Sequence, residues 1–385
     1  MSKHARLSPS DWARWMTCAG AVPFTESISE MLEARPGGLD PTTSAAASGT
    51  QAHEYGEKMI VSQLHPVESA RLQASEQALK IRRDMEQNFI ENAEKYASWA
   101  TEFVFSRPNI PWGVELSAPL WYEPESRGTA DFWAVDGDTL VVVDYKSGRL
   151  KVDVENNLQI AIYLIAIYDA ISAFNPQIRK FRAGVMQPFT AQRGTSEPIW
   201  WDFDMGELEH IRSVVSAGAR EVWNPILGNH RLVVSDKGCR FCAAKPFCPA
   251  QNEAVDAFAG LVAEDPKAID GDVLFGIFGK LRSYRSFLDS VEDFIRDQSD
   301  EDLRTQGYAR KDGSKKRSWT GAEEAIVQSL KDIGVEPYEE VLKTPAKVEK
   351  ELGSYDLLAP FMQLDFNRPT VYRAKAGEKT FKVSK

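Results

Sequence analysis

Cysteine is scarce in this chain, with four among 385 residues. At this length four are too few for a disulfide-stapled scaffold and fit a reducing compartment whose thiols are free to bind metal. Long apolar runs are missing too. No stretch approaches the roughly 20 apolar residues of a membrane helix. The opening MSKHARLSPSDW has no apolar core of the kind a secretory signal carries, so a cytoplasmic protein with no membrane partner is expected. Internal repeats and low-complexity tracts are absent, which removes solenoids and arrays. Basic residues are outnumbered: 46 Lys and Arg against 56 Asp and Glu give a net charge of −10. That argues against attraction of the whole surface to nucleic acid. It leaves room for a local basic groove, because binding follows the field near the site.

What is present is an ordinary globular composition, 43% hydrophobic and 26% charged. The length suffices for one large domain with an appendage, or for two. The cysteines are placed unevenly. Cys18 stands alone near the start, whereas Cys239, Cys242 and Cys248 form C-x2-C-x5-C in GCRFCAAKPFCPA. Four thiolates can close a tetrahedral shell around zinc or hold an iron–sulfur cluster; free buried thiols are the plain alternative. With a metal in place, the chain clasps its own beginning.

Ser8-Pro9-Ser10-Asp11 reads as a helix start with Ser8 as N-cap, and the helix stops near Cys18. Residues 34–50 are loop-like, and 51–100 are helical with a break at Pro66. Short β-type runs follow at 102–105, 114–122, 129–135 and 140–145, the last two joined by a hairpin at Asp136-Gly137-Asp138. A long apolar helix spans 156–173, strands are expected at 181–187 and 198–203, and a helix at 205–222. The expectation is an α/β core with a mixed sheet flanked by helices, over residues 1–254. A mostly helical appendage, 255–385, holds an amphipathic helix at 273–297, a hairpin around Asp312-Gly313 and a short helix at 344–353. The hairpin's Arg310, Lys311, Lys315, Lys316, Arg317 and Trp319, and the tail's Arg368, Arg373, Lys375, Lys379, Lys382 and Lys385, suit a phosphate backbone or simply a solvated surface.

Between the separated cysteines lie Gly128-Thr129-Ala130-Asp131 and Val143-Asp144-Tyr145-Lys146. Asp131 and Asp144 are expected on neighbouring antiparallel strands, about 5 Å apart, close enough to share one divalent cation. Lys146 lies two residues past Asp144 and so on its face of the strand. A carboxylate-held cation with open water positions suits magnesium. It lowers the pKa of a bound water and neutralises charge on a phosphate, and a neighbouring lysine orients that water. The implied chemistry is phosphodiester hydrolysis. A bare D-x-K is more often an ion pair on one face, and His53 alone more often a capping or core histidine. Their company, with Gln159 and Tyr163 one helical turn apart, changes that balance.

Together these residues resemble the RecB-like branch of the PD-(D/E)XK nucleases, which includes the nuclease domains of bacterial RecB and AddB proteins and CRISPR-associated RecB-like exonucleases. The likeness runs over about residues 5–250: His53 in G-T-x-x-H-E, Asp131 in G-x-x-D, Asp144 to Lys146 as D-Y-K, and Gln159 to Tyr163 as Q-x3-Y. The iron–sulfur members also place one cysteine before the nuclease core and C-x2-C-x5-C after it. LSPSDWARWMTCAG and LKTPAKVEKELG further resemble phage and prophage RecB-like proteins grouped as a domain of unknown function. The resemblance implies a restriction-endonuclease-like fold and a Mg2+- or Mn2+-dependent DNA nuclease, an exonuclease in recombination, repair or phage replication. It implies His53, Asp131, Asp144 and the Tyr145 carbonyl as metal ligands, Lys146 as the catalytic lysine, and Gln159 and Tyr163 as DNA-contacting or supporting groups. Glu115, in Val114-Glu115-Leu116, is a candidate additional acid near that metal. Cys18, Cys239, Cys242 and Cys248 would hold a [4Fe–4S] cluster, with structural Zn2+ the alternative. The implied partners are DNA ends or single strands and, by analogy, a helicase, recombinase or single-strand annealing protein in a bacterial or phage-infected cell. The competing reading is a nuclease fold used for DNA binding or assembly, inactive or active only with such a partner.

Overall fold

The computed structural model describes residues 6–33, 44–188, 197–224, 232–263, 271–309, 327–328 and 331–332. A 3-10 turn, Pro9–Asp11, leads into α1 (Trp12–Thr17), followed by α2 (Ala21–Ser27), α3 (Ser29–Glu33), α4 (Ser44–Leu64), α5 (Glu68–Arg82) and α6 (Gln87–Phe105). The sheet follows, with β1 (Trp112–Leu120), β2 (Glu123–Asp136) and β3 (Thr139–Tyr145), then α7 (Leu158–Ile171), β4 (Lys180–Met186), β5 (Ile199–Asp204) and α8 (Met205–Val222). The five strands lie side by side in sequence order. Every pairing is antiparallel except β3 with β4. A parallel pair needs a crossover, and α7 supplies it. The β2–β3 hairpin turns at Gly137, whose φ of 61° is left-handed and free of penalty only for glycine.

Helices cover both faces of the sheet. Leu140 and Val142 of β3 point to the core built with α7, α8 and Trp15 of α1. Val141, Val143 and Tyr145 alternate to the other core, against Ala52 and Tyr55 of α4 and Tyr96 and Trp99 of α6. β3 is therefore buried on both faces, which is why it reads as an unbroken apolar run. α7 is apolar nearly all round for the same reason. Its Ile160, Ile162, Leu164, Ile165 and Ile167 are buried, each contributing roughly 1.5–3 kcal/mol by leaving water. The result is a mixed α/β unit with a five-stranded mixed sheet.

Local differences from the sequence reading have local causes. Residues 102–105 form the last turn of α6, not a strand. Tyr96, Trp99, Ala100 and Phe103 continue the helix's three- and four-residue apolar spacing. Residues 44–50, expected as loop, open α4, where Ala45, Ala46 and Ala47 favour helix. The helical stretch before the sheet breaks at 83–86 as well as near Pro66. Ser8 does not cap through its side chain; its Oγ bonds Ser10 Oγ at 2.8 Å.

After a short turn at Lys245–Phe247 come α9 (Pro249–Ala263), α10 (Gly271–Arg296) and α11 (Asp300–Thr305). The chain divides into two compact units, Met1–Gln306 and Gly307–Lys385. The division falls well beyond the break expected at 254, because α10 is pinned to the cysteine loop. Lys245 Nζ donates to Ser286 Oγ at 2.8 Å, and Phe247 meets Phe294 edge to face. In the second unit, residues 327–328 and 331–332 are helical, with Gln328 Nε2 donating to Asp332 Oδ1 at 2.7 Å. The basic hairpin around Asp312-Gly313, the helix at 344–353 and the cationic tail lie outside the described residues. No helix among the described residues is long and apolar enough to cross a membrane.

Candidate metal centre and four-thiol site

Three acids stand in a row across three strands. Val114 lies opposite Phe132 and Leu116 opposite Ala130, so Glu115 falls opposite Asp131. Phe132 lies opposite Val143, and one further step sets Asp131 against Asp144. Residues two apart on a strand normally share a face. Here Val114 and Phe132 join the core under α4 and α6, while Leu116 and Ala130 join the core under α7. The ribbon turns over between them, and Glu115 and Asp131 sit at the turnover. Glu115 adopts φ 50°, a left-handed backbone costing a non-glycine residue roughly 1–3 kcal/mol.

α4 brings the histidine. Its Gly49 lies against Ser147, where a Cβ would come within 3.3 Å of the hydroxyl. One turn later His53 Nδ1 reaches Asp131 Oδ1 at 3.2 Å. His53, Glu115 and Asp131 each offer a ligand atom, all within 4.8 Å of one another. The second oxygen of Asp131 accepts the Tyr145 N–H at 2.6 Å. The Tyr145 ring turns the other way, stacked on Tyr96 at 4.8 Å and tilted against His53 at 5.0 Å.

The lysine is held from two sides. Lys146 Nζ pairs with Asp144 Oδ2 at 2.8 Å and donates to Gln159 Oε1 at 3.2 Å. Gln159 Nε2 in turn donates to Tyr163 OH at 3.4 Å. Gln159 sits in the first turn of α7, where Asn157 caps the helix by accepting the Gln159 N–H at 3.0 Å. The cluster lies at the carboxyl end of β3, where α/β sheets commonly place ligands.

Burial and mutual charge set the protonation. Burial works to raise the Asp131 carboxyl, but the His53 charge and hydrogen bond, Lys146 and the Tyr145 N–H outweigh it and hold it low. Asp144 is raised, by burial foremost and by Asp131, with Lys146 opposing. Burial and the Asp131 charge push Glu115 up to about 7. Burial works to lower His53 and Lys146, yet both are raised, His53 chiefly by Asp131 and Lys146 chiefly by Asp144. The group is poised between charge states, as functional sites often are.

Of the residues singled out from sequence, the structure brings His53, Glu115 and Asp131 to one point. Asp144 is turned onto Lys146, and Tyr145 meets the group through its N–H. His53 lies inside α4 rather than at its opening. Tyr96, which floors the site through Tyr145, was missed; nothing in its local spacing signals it.

The four thiols form a second site. Cys18, Cys239, Cys242 and Cys248 line one small cavity together with Lys245 and Gln251. Each sulfur is met by backbone N–H groups. Val233 N–H lies 3.3 Å from Cys18 Sγ and Ser235 N–H 3.4 Å from Cys239 Sγ. Ala21 also donates to Cys18, Ala244 to Cys242, and Gln251 and Ala250 to Cys248. Burial pushes the Cys18, Cys242 and Cys248 thiols up. Arg14, ion-paired with Asp11, also lies beside Cys242 and opposes that rise. The loop docks closely on α1: a Cβ at Gly238 would run into the hydroxyls of Thr17 and Ser235.

Residues 4–371 match the family described as "Protein of unknown function (DUF2800)". The chain belongs to that family. A match over most of the chain is compatible with a protein of phage type. Among solved structures, one titled "Crystal structure of SSO0001" is similar at 12% identity over 52% of this chain and 85% of its own, with a TM-score of 0.22. DUF2800 thus gives this chain a family but no activity.

Proposed function

We propose that this DUF2800 chain is a metal-dependent DNA nuclease with the PD-(D/E)XK fold of the RecB-like branch. It would act as an exonuclease on DNA ends or single strands in recombination, repair or phage replication. The observation that carries the reading is the meeting of His53, Glu115 and Asp131 within 4.8 Å, beside a lysine fixed by Asp144 and Gln159. Two carboxylates and an imidazole suit Mn2+ well, and Mg2+ with water making up the shell. His53, Glu115 and Asp131 would hold the ion, with Asp144 adjoining. When bound, such a cation acidifies a coordinated water and offsets charge on the phosphate.

The chain's own groups supply the rest. Asp144 keeps Lys146 protonated, and Gln159 fixes where its amine points. That amine can orient the attacking water and steady the charge on the phosphate oxygens in the transition state. Tyr163, behind Gln159, limits how far the amide can swing. The Tyr145 N–H keeps the Asp131 carboxylate turned toward His53. An inactive DNA-binding relative has no need of this complete set, which favours activity over an assembly role.

The thiols fit a cluster better than a single ion. N–H groups on every sulfur suit thiolates that share charge with iron and sulfide. We therefore assign Cys18, Cys239, Cys242 and Cys248 to a structural [4Fe–4S] cluster that ties α1 to the segment after the sheet.

The test uses anaerobically prepared full-length protein, measured for iron and sulfide and assayed on end-labelled single- and double-stranded DNA with Mg2+ or Mn2+. Asp131→Asn and Lys146→Gln are each expected to slow cleavage by about 10²–10⁴-fold while leaving the circular dichroism spectrum intact. Undiminished cleavage in both would remove the proposed site.

A further inference from the structure

Gln251 is wholly buried, with 0% of its surface exposed. Neither its amide nitrogen nor its amide oxygen has a hydrogen-bond partner. A buried amide without partners costs on the order of 1–3 kcal/mol, and such groups are rare enough in folded proteins to need a reason. Gln251 lies in the first turn of α9, three residues past Cys248, and lines the cavity that the four cysteines share. Lys245, the other polar side chain lining that cavity, is already engaged. Its Nζ donates to Ser286 Oγ at 2.8 Å and to the Arg240 carbonyl at 3.4 Å. The remaining lining side chains with a hydrogen-bonding or ligating atom are the four cysteines.

We infer that Gln251 is a positioning residue for the cluster, its Nε2–H donating a hydrogen bond to a cluster or cysteine sulfur. The inference rests on the iron–sulfur assignment proposed above. A donor to sulfur stabilises the more negative, reduced state and so raises the reduction potential, one of the means by which proteins tune such centres. The backbone donors to the four sulfurs are fixed by the fold. Gln251 adds a side-chain donor that a single substitution can remove. An apolar residue here would fill the space with no unpaired polar atom, so the amide is explicable by the group it meets.

The experiment compares wild type with Gln251→Leu and Gln251→Met, prepared anaerobically as full chains. The readouts are iron and sulfide per chain, midpoint potential by dye-mediated titration, and Fe–S stretching frequencies by resonance Raman in H2O and D2O. The expected result is iron content close to wild type, a lower midpoint potential in both variants, and a deuterium shift smaller than that of wild type. Cold chelation of iron from the purified proteins, with no substrate present, is expected to be faster in both variants. Met retains length without a donor, so it guards against a misfolded Leu variant. Iron-loaded variants with an unchanged potential and an unchanged deuterium shift would overturn the role of Gln251 while leaving the cluster standing. Wild-type protein without iron and sulfide would instead overturn the cluster assignment and this inference together.

Discussion

Glu115 holds two unfavourable states at once, a left-handed backbone and a carboxyl pushed up to about 7 chiefly by burial. Replacing it with glycine removes both. Glu115→Gly is expected to raise unfolding stability by about 1 kcal/mol in metal-free protein while weakening Mn2+ binding. Denaturant titration and calorimetry read the two effects, and a less stable variant would refute the strain. The same carboxyl would give the proposed metal binding a pH dependence. Below about 7 Glu115 keeps its proton, which a cation must displace, so affinity should fall by about tenfold between about pH 8 and pH 6. His53, raised by Asp131 against its burial, acts in the same direction. In the metal-free fold the sign for stability is opposite: a raised acid disfavours charge, so stability declines as pH rises from the ordinary carboxylate range through about 7. Glu115→Gln should flatten both curves. Asp144, Lys146, Gln159 and Tyr163 were legible in the sequence because strand and helix periods fix which faces they share. Glu115 was visible only as an acid on the neighbouring strand. The turnover of the ribbon that aims it arises from packing on two cores, and no local pattern encodes that.

At the scale of elements, the start of α7 joins fold to site. The Asn157 side chain accepts the Gln159 N–H, and Gln159 holds Lys146. Asn157→Ala should therefore cost about 1 kcal/mol in stability and also loosen the lysine, so that kcat falls with little change in KM. A variant that loses stability with kcat intact would separate the cap from the site. The strands at 181–187 and 198–203 and the helix at 205–222 were read nearly as they stand, because apolar patterning is a strong local signal. The end of α6 was misread because Phe103, Val104 and Phe105 look alike in a strand and in a final helical turn. Docking of the cysteine loop depends on Gly238. Gly238→Val should push it off Thr17, seen as a lower iron content per chain.

At the scale of the whole molecule, the four cysteines line one cavity although more than two hundred positions of sequence separate Cys18 from the others, a closure the sequence implied only with a metal in place. The association of α10 with the same loop, through Lys245 and Ser286, was invisible, since neither residue type advertises a distant partner. Cys242→Ala is expected to release bound metal and lower the melting temperature of the full chain. An unchanged melting temperature and metal content would contradict the clasp. The distance between Cys18 and Cys248 also sets an order of events during synthesis. A ribosome delivers Cys18 first and Cys248 only after every strand of the sheet has emerged. Filling of the thiol pocket by the proposed cluster would therefore follow synthesis of the sheet, and a product truncated before Cys248 would lack one of its four sulfurs.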